Sequence, residues 1–176
     1  MEKSIYLIDA NAFLTPSKSY YRFSVAPSYW RQINKLAQKG FIKTIDKIDR
    51  EVRPRKEDDK KDEIQLWYEN EFKGEILSSK KQEIVDEYVN VINHLYESEK
   101  YNEKAFLEWS GREDIADPWI IATARAYGYT VVSFERNINY NGGSPMSSAK
   151  IPNVCQDLKV KCTSLFNMME QLEIEL

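Results

Sequence analysis

An α/β fold built on a parallel sheet is what this sequence of 176 residues predicts, and three observations carry it. The runs YLID at 6–9 and YTVVS at 129–133 are apolar with little alternation, as strands buried on both faces must be. Long stretches with helical spacing separate the strands, so the connections are crossovers rather than hairpins. In DPWIIATARAYG, Asp117 and Pro118 precede an apolar face and Gly128 follows it, the punctuation of a helix feeding directly into a strand. The expected architecture is a three-layer α/β/α sandwich with four or five parallel strands. It forms one domain over 1–176, with helical elaboration at about 56–105.

Taken in order, the first strand falls at residues 4–9, and 15–27 reads as irregular. A helix capped by Ser28 buries Trp30, Ile33, Leu36 and Ala37 and stops at Gly40. FIKTI makes a second strand or an extended entry to the next helix. IDKIDREV is a helix with Ile45, Ile48 and Val52 inward, stopped by Pro54. The mixed-charge run RKEDDKKDE, 55–63, reads as a solvated segment. Ile64, Trp67, Tyr68 and Phe72 then stand at helical spacing, as do Ile84, Tyr88, Val91 and Leu95. His94, the only histidine, lies on the second of these helices and is assigned no chemistry. A short helix ends at Trp109, and the next has Asp117 as its cap and Pro118 as its first residue. Beyond the strand at 129–133, the polar, turn-rich loop 136–149 is expected to be flexible. LKVKC, 158–162, alternates like an edge strand, and Thr163 caps a last helix carrying Leu165, Met168, Met169 and Leu172.

The totals narrow the function. A chain that is 42% hydrophobic and 30% charged is an ordinary globular one. A net charge of −3 argues against a general nucleic-acid coat protein, whose affinity rests on a large positive field. It leaves room for an enzyme that meets nucleic acid through a bound cation. No apolar stretch approaches the ~20 residues of a membrane span, and charged and polar residues interrupt the start of the chain before a signal-peptide core could form. With only Cys155 and Cys162 present, the expectation is a cytoplasmic protein with free thiols and no membrane partner.

The chemistry lies in the acids. Asp9 ends an apolar strand, where a carboxylate is costly to hide. Ser133 and Glu135 follow the strand YTVVS, Asp117 opens the helix leading into it, and Glu51 sits in the last turn of IDKIDREV. In parallel sheets ligands gather beyond the C-terminal strand ends, where these four carboxylates can converge. Such a cluster repels itself unless cations bind, so a metal is the economical explanation. Asp114, three residues before Asp117, is an additional candidate. Each acid also has a plainer reading: a helix cap for Asp117, surface charge for Glu51 and Asp114, a loop residue for Glu135.

IDANAF, REV, ADPWIIATA and VVSFE, in that order, resemble the motifs of PIN-domain nucleases. The tail KIPNVCQDLKVKC, with its KIP-x-x-C segment, and YYRFSVAPSYW resemble a bacterial PIN-like branch, similar to VapC-type toxins. The resemblance spans nearly the whole chain and departs from the pattern at Glu135, where many relatives carry aspartate, and at Ser133, where they often carry threonine. It implies that Asp9 and Asp117 are the central ligands of one or two Mg²⁺ or Mn²⁺ ions, with Glu51 and Glu135 completing the site directly or through water. Asn11 and Ser133 then position ligands or the scissile phosphate. The implied activity is metal-dependent cleavage of single-stranded RNA by a toxin-type nuclease. The implied partners are the RNA, an antitoxin protein and a second copy of the chain. Arg53, Arg55, Lys56, Arg136 and Lys150 are candidates for phosphate contacts near this edge.

Two other classes remain in view. HAD-type phosphatases also place an aspartate after the first strand, but they need a second aspartate two residues on as general acid. Asn11 stands there and cannot deliver a proton. A PIN-like domain that binds RNA or protein without cutting is the remaining alternative.

Overall fold

The computed structural model describes residues 4–54 and 60–176. Among the described residues five parallel strands form one sheet in the order β3-β2-β1-β4-β5: β1 Tyr6–Ile8, β2 Ile42–Ile45, β3 Glu75–Leu77, β4 Thr130–Val132 and β5 Cys162–Thr163. In register, Tyr6 faces Ile42 on one side and Thr130 on the other, while Ile8 lies opposite Val132. Leu7, Ile8, Val131 and Val132 are buried, which explains the absence of alternation in both runs. Helices flank the sheet and complete the three-layer α/β/α sandwich.

These helices are α1 Ala10–Lys18, α2 Pro27–Gln38, α3 Asp46–Val52, α4 Glu63–Asn70, α5 Gln82–Glu97, α6 Glu103–Ser110, α7 Ala116–Tyr127, α8 Ile151–Asp157 and α9 Leu165–Gln171. α7 lies on β2 and β4 and runs along α5; α2 packs on β2, and α1 on α3 and α4. An aromatic cluster binds α1, α2 and α4 together. Trp30 stacks on Phe23 at 4.3 Å and meets Trp67 edge-on at 4.8 Å, while Phe13 meets Tyr68 at 5.4 Å. Among the described residues, no helix is long and apolar enough to cross a membrane.

Several boundaries differ from the sequence expectation, each for a local reason. β1 stops at Ile8 because the Asp9 carboxylate accepts the Ala10 N–H at 2.8 Å and starts α1 at once. This helix runs through a stretch expected to be partly irregular and tolerates Pro16 in its last turn. α2 begins at Pro27, with Ala26 as the cap position, because proline suits a first helical turn that needs no donor. Ser28 therefore lies inside the helix. Ile115 rather than Asp117 is the cap position of α7, which places Asp117 in the first turn and Pro118 third. Gly128 ends that helix with φ +71°, a left-handed conformation glycine adopts without strain.

The segment expected as helical elaboration also carries β3, an exposed edge strand. Asp62 caps α4 within it through a reciprocal capping box with Gln65. Near the C-terminus the expected strand 158–162 shrinks to Cys162–Thr163. KIPNVCQD instead forms α8, Lys159 turns the chain at φ 57°, and Ser164 rather than Thr163 caps α9 by accepting the Asn167 N–H. Loop 136–149 is irregular but fastened at two points. Asn153 holds Ile138 through both of its backbone groups, and Met146 bridges to Tyr101. His94 lies 3.3 Å from Asp157, which also accepts from Lys100 and Tyr101 at 2.7 Å each, so the lone histidine helps tie α5 to α8.

Candidate functional site

The central strands β1 and β4 end side by side, and each delivers a polar side chain at its C-terminal end. The Asp9 N–H donates to the Val132 carbonyl at 3.1 Å, and the Ser133 N–H donates to the Thr163 carbonyl at 3.1 Å. The backbone thus continues the ladder while the side chains turn toward the sheet's end. Asp9 is only 3% exposed. The Ala10 N–H donates to its carboxylate, and no described lysine, arginine or histidine forms an ion pair with it. Asn11 is exposed in the first turn of α1. Asp117 is half-buried in the first turn of α7, and Glu51 is exposed in the last turn of α3.

The electrostatics link these segments. The Asp9 carboxyl is pushed up to about 8, first by burial, then by the charges of Asp117 and Glu51 and less by Glu135, with the Ala10 N–H working the other way. Asp117 is pushed up to about 7 by burial, Glu135 and Glu51; Lys150 opposes the shift and Glu108 adds to it. Glu51 is also raised, by partial desolvation and by Asp114, against the Ala116 N–H at the start of α7. Asp9 therefore feels the charge of all three other candidates.

Proximity has not become a finished cage. Among the described residues, no group of three or more acidic, histidine or cysteine side chains is arranged to hold a metal ion. Glu135 is already engaged: Lys150 donates to one of its carboxylate oxygens at 2.9 Å, and the Ile151 N–H, at the start of α8, donates to the other at 2.7 Å. Ser133, buried, accepts the Glu135 N–H on its hydroxyl at 3.1 Å and so fixes the turn carrying that acid. The donor set nevertheless suits a hard divalent cation. It offers carboxylate oxygens, two of them on groups held well above the usual carboxylate range, and any cation would relieve their repulsion.

The remaining candidates are placed as follows. Asp114 is exposed, 3.2 Å from Arg112, and close enough to Glu51 to raise its pKa. Arg53 is gripped by Asp49, with bonds of 2.9 and 2.7 Å, and lies over the Tyr68 ring at 5.6 Å, so its guanidinium is already engaged. Arg136 is exposed. Arg55 and Lys56 lie outside the described residues. Glu108 on α6 also bears on Asp117, yet in the sequence it is one more exposed acid on a short helix. Beyond β4 and β5 a cavity of about 420 Å³ opens, with Ser133 and Glu135 on one wall and Asn137, Gln156, Ser164 and Asn167 among the rest. It was invisible in the sequence because α8, which forms part of its wall, was not expected.

Comparison with curated proteins returns no match. One family profile, described as a domain of unknown function (DUF4411), matches residues 6–176, from the first residue of β1 to the last of the chain. The chain belongs to the DUF4411 family.

Proposed function

We propose that the protein is a metal-dependent endoribonuclease that hydrolyses phosphodiester bonds in single-stranded RNA, the toxin of a toxin–antitoxin pair acting in the cytoplasm. One observation carries the reading most: Asp9 and Asp117 come from separate elements, and burial together with neighbouring acids, Asp117 and Glu51 at Asp9 and Glu135 and Glu51 at Asp117, raises both carboxyls toward neutral pH at the C-terminal end of the sheet. The motif resemblance to PIN-domain nucleases, residue by residue at Asp9, Asn11, Glu51, Asp117, Ser133 and Glu135, supports it independently.

Asp9 and Asp117 would hold one or two Mg²⁺ or Mn²⁺ ions, with Glu51 and Glu135 assisting directly or through water. When bound, such ions make water a better nucleophile and offset charge on the leaving oxygen. The chain's own residues do the rest. Asp9 and Asp117, partly protonated near pH 7 in the metal-free protein, release protons when a cation replaces them. Asn11 presents an exposed amide two residues after Asp9 and can donate to a phosphate oxygen. Ser133 holds the backbone that aims Glu135. Lys150 and Arg136 supply positive charge beside an otherwise acidic edge.

Cleavage of a mixed RNA pool tests the reading. The wild type is expected to cut with Mn²⁺ or Mg²⁺ and not in EDTA, and Asp9→Asn is expected to be inactive. Equal cleavage by both proteins would sink the mechanism. The engaged state of Glu135 favours one alternative, a PIN-like module that binds RNA or protein without cutting. RNA binding by the wild type with no cleavage under any divalent cation would establish that alternative.

A further inference from the structure

The cavity beyond β4 and β5 differs chemically from the acidic edge it adjoins. It shares Ser133 and Glu135 with that edge, but Asn137, Gln156 and Asn167, three residues with side-chain amides, also line it. Among the described residues these three amides form no hydrogen bond with another side chain or backbone group, and all three residues are exposed. At about 420 Å³ the space falls within the ~300–1,000 Å³ of small-ligand pockets. Among the described residues its one lining aspartate, glutamate, lysine or arginine is Glu135, whose charge Lys150 already meets, so the lining suits an uncharged polar group better than a phosphate.

An aromatic file lies outside the cavity lining but next to lining residues in the chain. Phe134 stands between Ser133 and Glu135, and its ring lies 6.2 Å from that of Phe166, which precedes Asn167 on α9. Phe166 in turn meets Tyr20 at 6.0 Å. Both outer rings are open, Phe166 being 43% and Tyr20 61% exposed. Amides that can read a base edge, beside open rings that can stack a base, are the two devices by which proteins hold unpaired nucleotides.

We propose that this cavity is a base-reading subsite for single-stranded RNA, in which Gln156, Asn167 and Asn137 select the base next to the cleaved phosphate and Phe166 and Tyr20 stack its neighbours. This rests on the nuclease reading for the position of the phosphate, but not for the binding itself. A side-chain amide offers a donor and an acceptor side by side, matching base edges that offer the complementary pair. The neutral lining takes the base while the sugar–phosphate backbone passes the cationic side chains of Lys150 and Arg136.

Fluorescence anisotropy with labelled A6, C6 and U6 RNA, using Asp9→Asn protein in Mg²⁺ so that the probes survive, tests the proposal. The hexamers are expected to differ in affinity by about fivefold or more, and Gln156→Ala and Asn167→Ala to remove most of that difference without lowering the melting temperature. Phe166→Ala is expected to weaken all three alike, by roughly tenfold. Equal affinity for the three hexamers, or a preference unchanged in both amide variants, overturns the subsite. Failure of the nuclease reading would look different: no metal-dependent cleavage by the wild type, with the base preference intact.

Discussion

Asp9→Asn is expected to lower metal-dependent RNA cleavage by at least about a hundredfold and, in the same protein stripped of metal, to raise the melting temperature at pH 8. The two effects share one cause. Asp9 is 3% exposed, receives one described hydrogen bond and faces the charges of Asp117, Glu51 and Glu135. Asparagine keeps the shape and can still accept from Ala10, but carries no charge to be repelled or to hold a cation. Removing a buried, repelled charge is worth about 2 kcal/mol here, or roughly 5 °C for a chain of this size. Thermal melts in EDTA measure it. A variant less stable than the wild type at pH 8 would show that the carboxylate is a structural cap and nothing more.

Metal-free wild-type protein is expected to lose stability as pH rises from about 4 to about 8. Folded Asp9 and Asp117 keep their protons up to about 8 and about 7, whereas in the unfolded chain aspartate releases its proton near 3.8. Across that window the folded state binds more protons than the unfolded state, so the slope of stability against pH is negative. Glu51, also raised, contributes with the same sign. Because these groups feel one another, they titrate as a set. The fall is expected to total about 3 kcal/mol, less than the separate shifts would sum to. Mn²⁺ at pH 8 is expected to restore most of it by supplying the missing positive charge. Urea unfolding between pH 4 and pH 9, with and without Mn²⁺, gives both quantities, and a flat profile in EDTA would remove the electrostatic basis of the site.

How far the sequence could be read depended on whether a feature was local. The apolar runs at β1 and β4 and the proline–glycine punctuation of α7 reflect neighbouring residues, and they located the centre of the sheet. β3 was missed because an exposed edge strand of three residues, Glu75–Leu77, has no hydrophobic signature. α8 was missed because its stability comes partly from Glu135, sixteen positions before Ile151, whose side chain satisfies the Ile151 N–H. The same long-range bond is why Glu135 looked like a free ligand in the sequence and is tethered in the fold. Arg53 was similarly misleading, since nothing local announces that Asp49 and Tyr68 already hold it. Asp9 was legible because a carboxylate ending an apolar strand needs a reason wherever the chain folds.

The acids at the ends of β1 and α3 and at the start of α7 are proposed to form a divalent-cation site. Calorimetric titration of Mn²⁺ into metal-free protein at pH 7, in two buffers of different ionisation enthalpy, tests it most directly. Saturable uptake accompanied by proton release, lost in Asp9→Asn and in Asp117→Asn, is the predicted result. No saturable uptake, or uptake unchanged in Asp9→Asn, would contradict it.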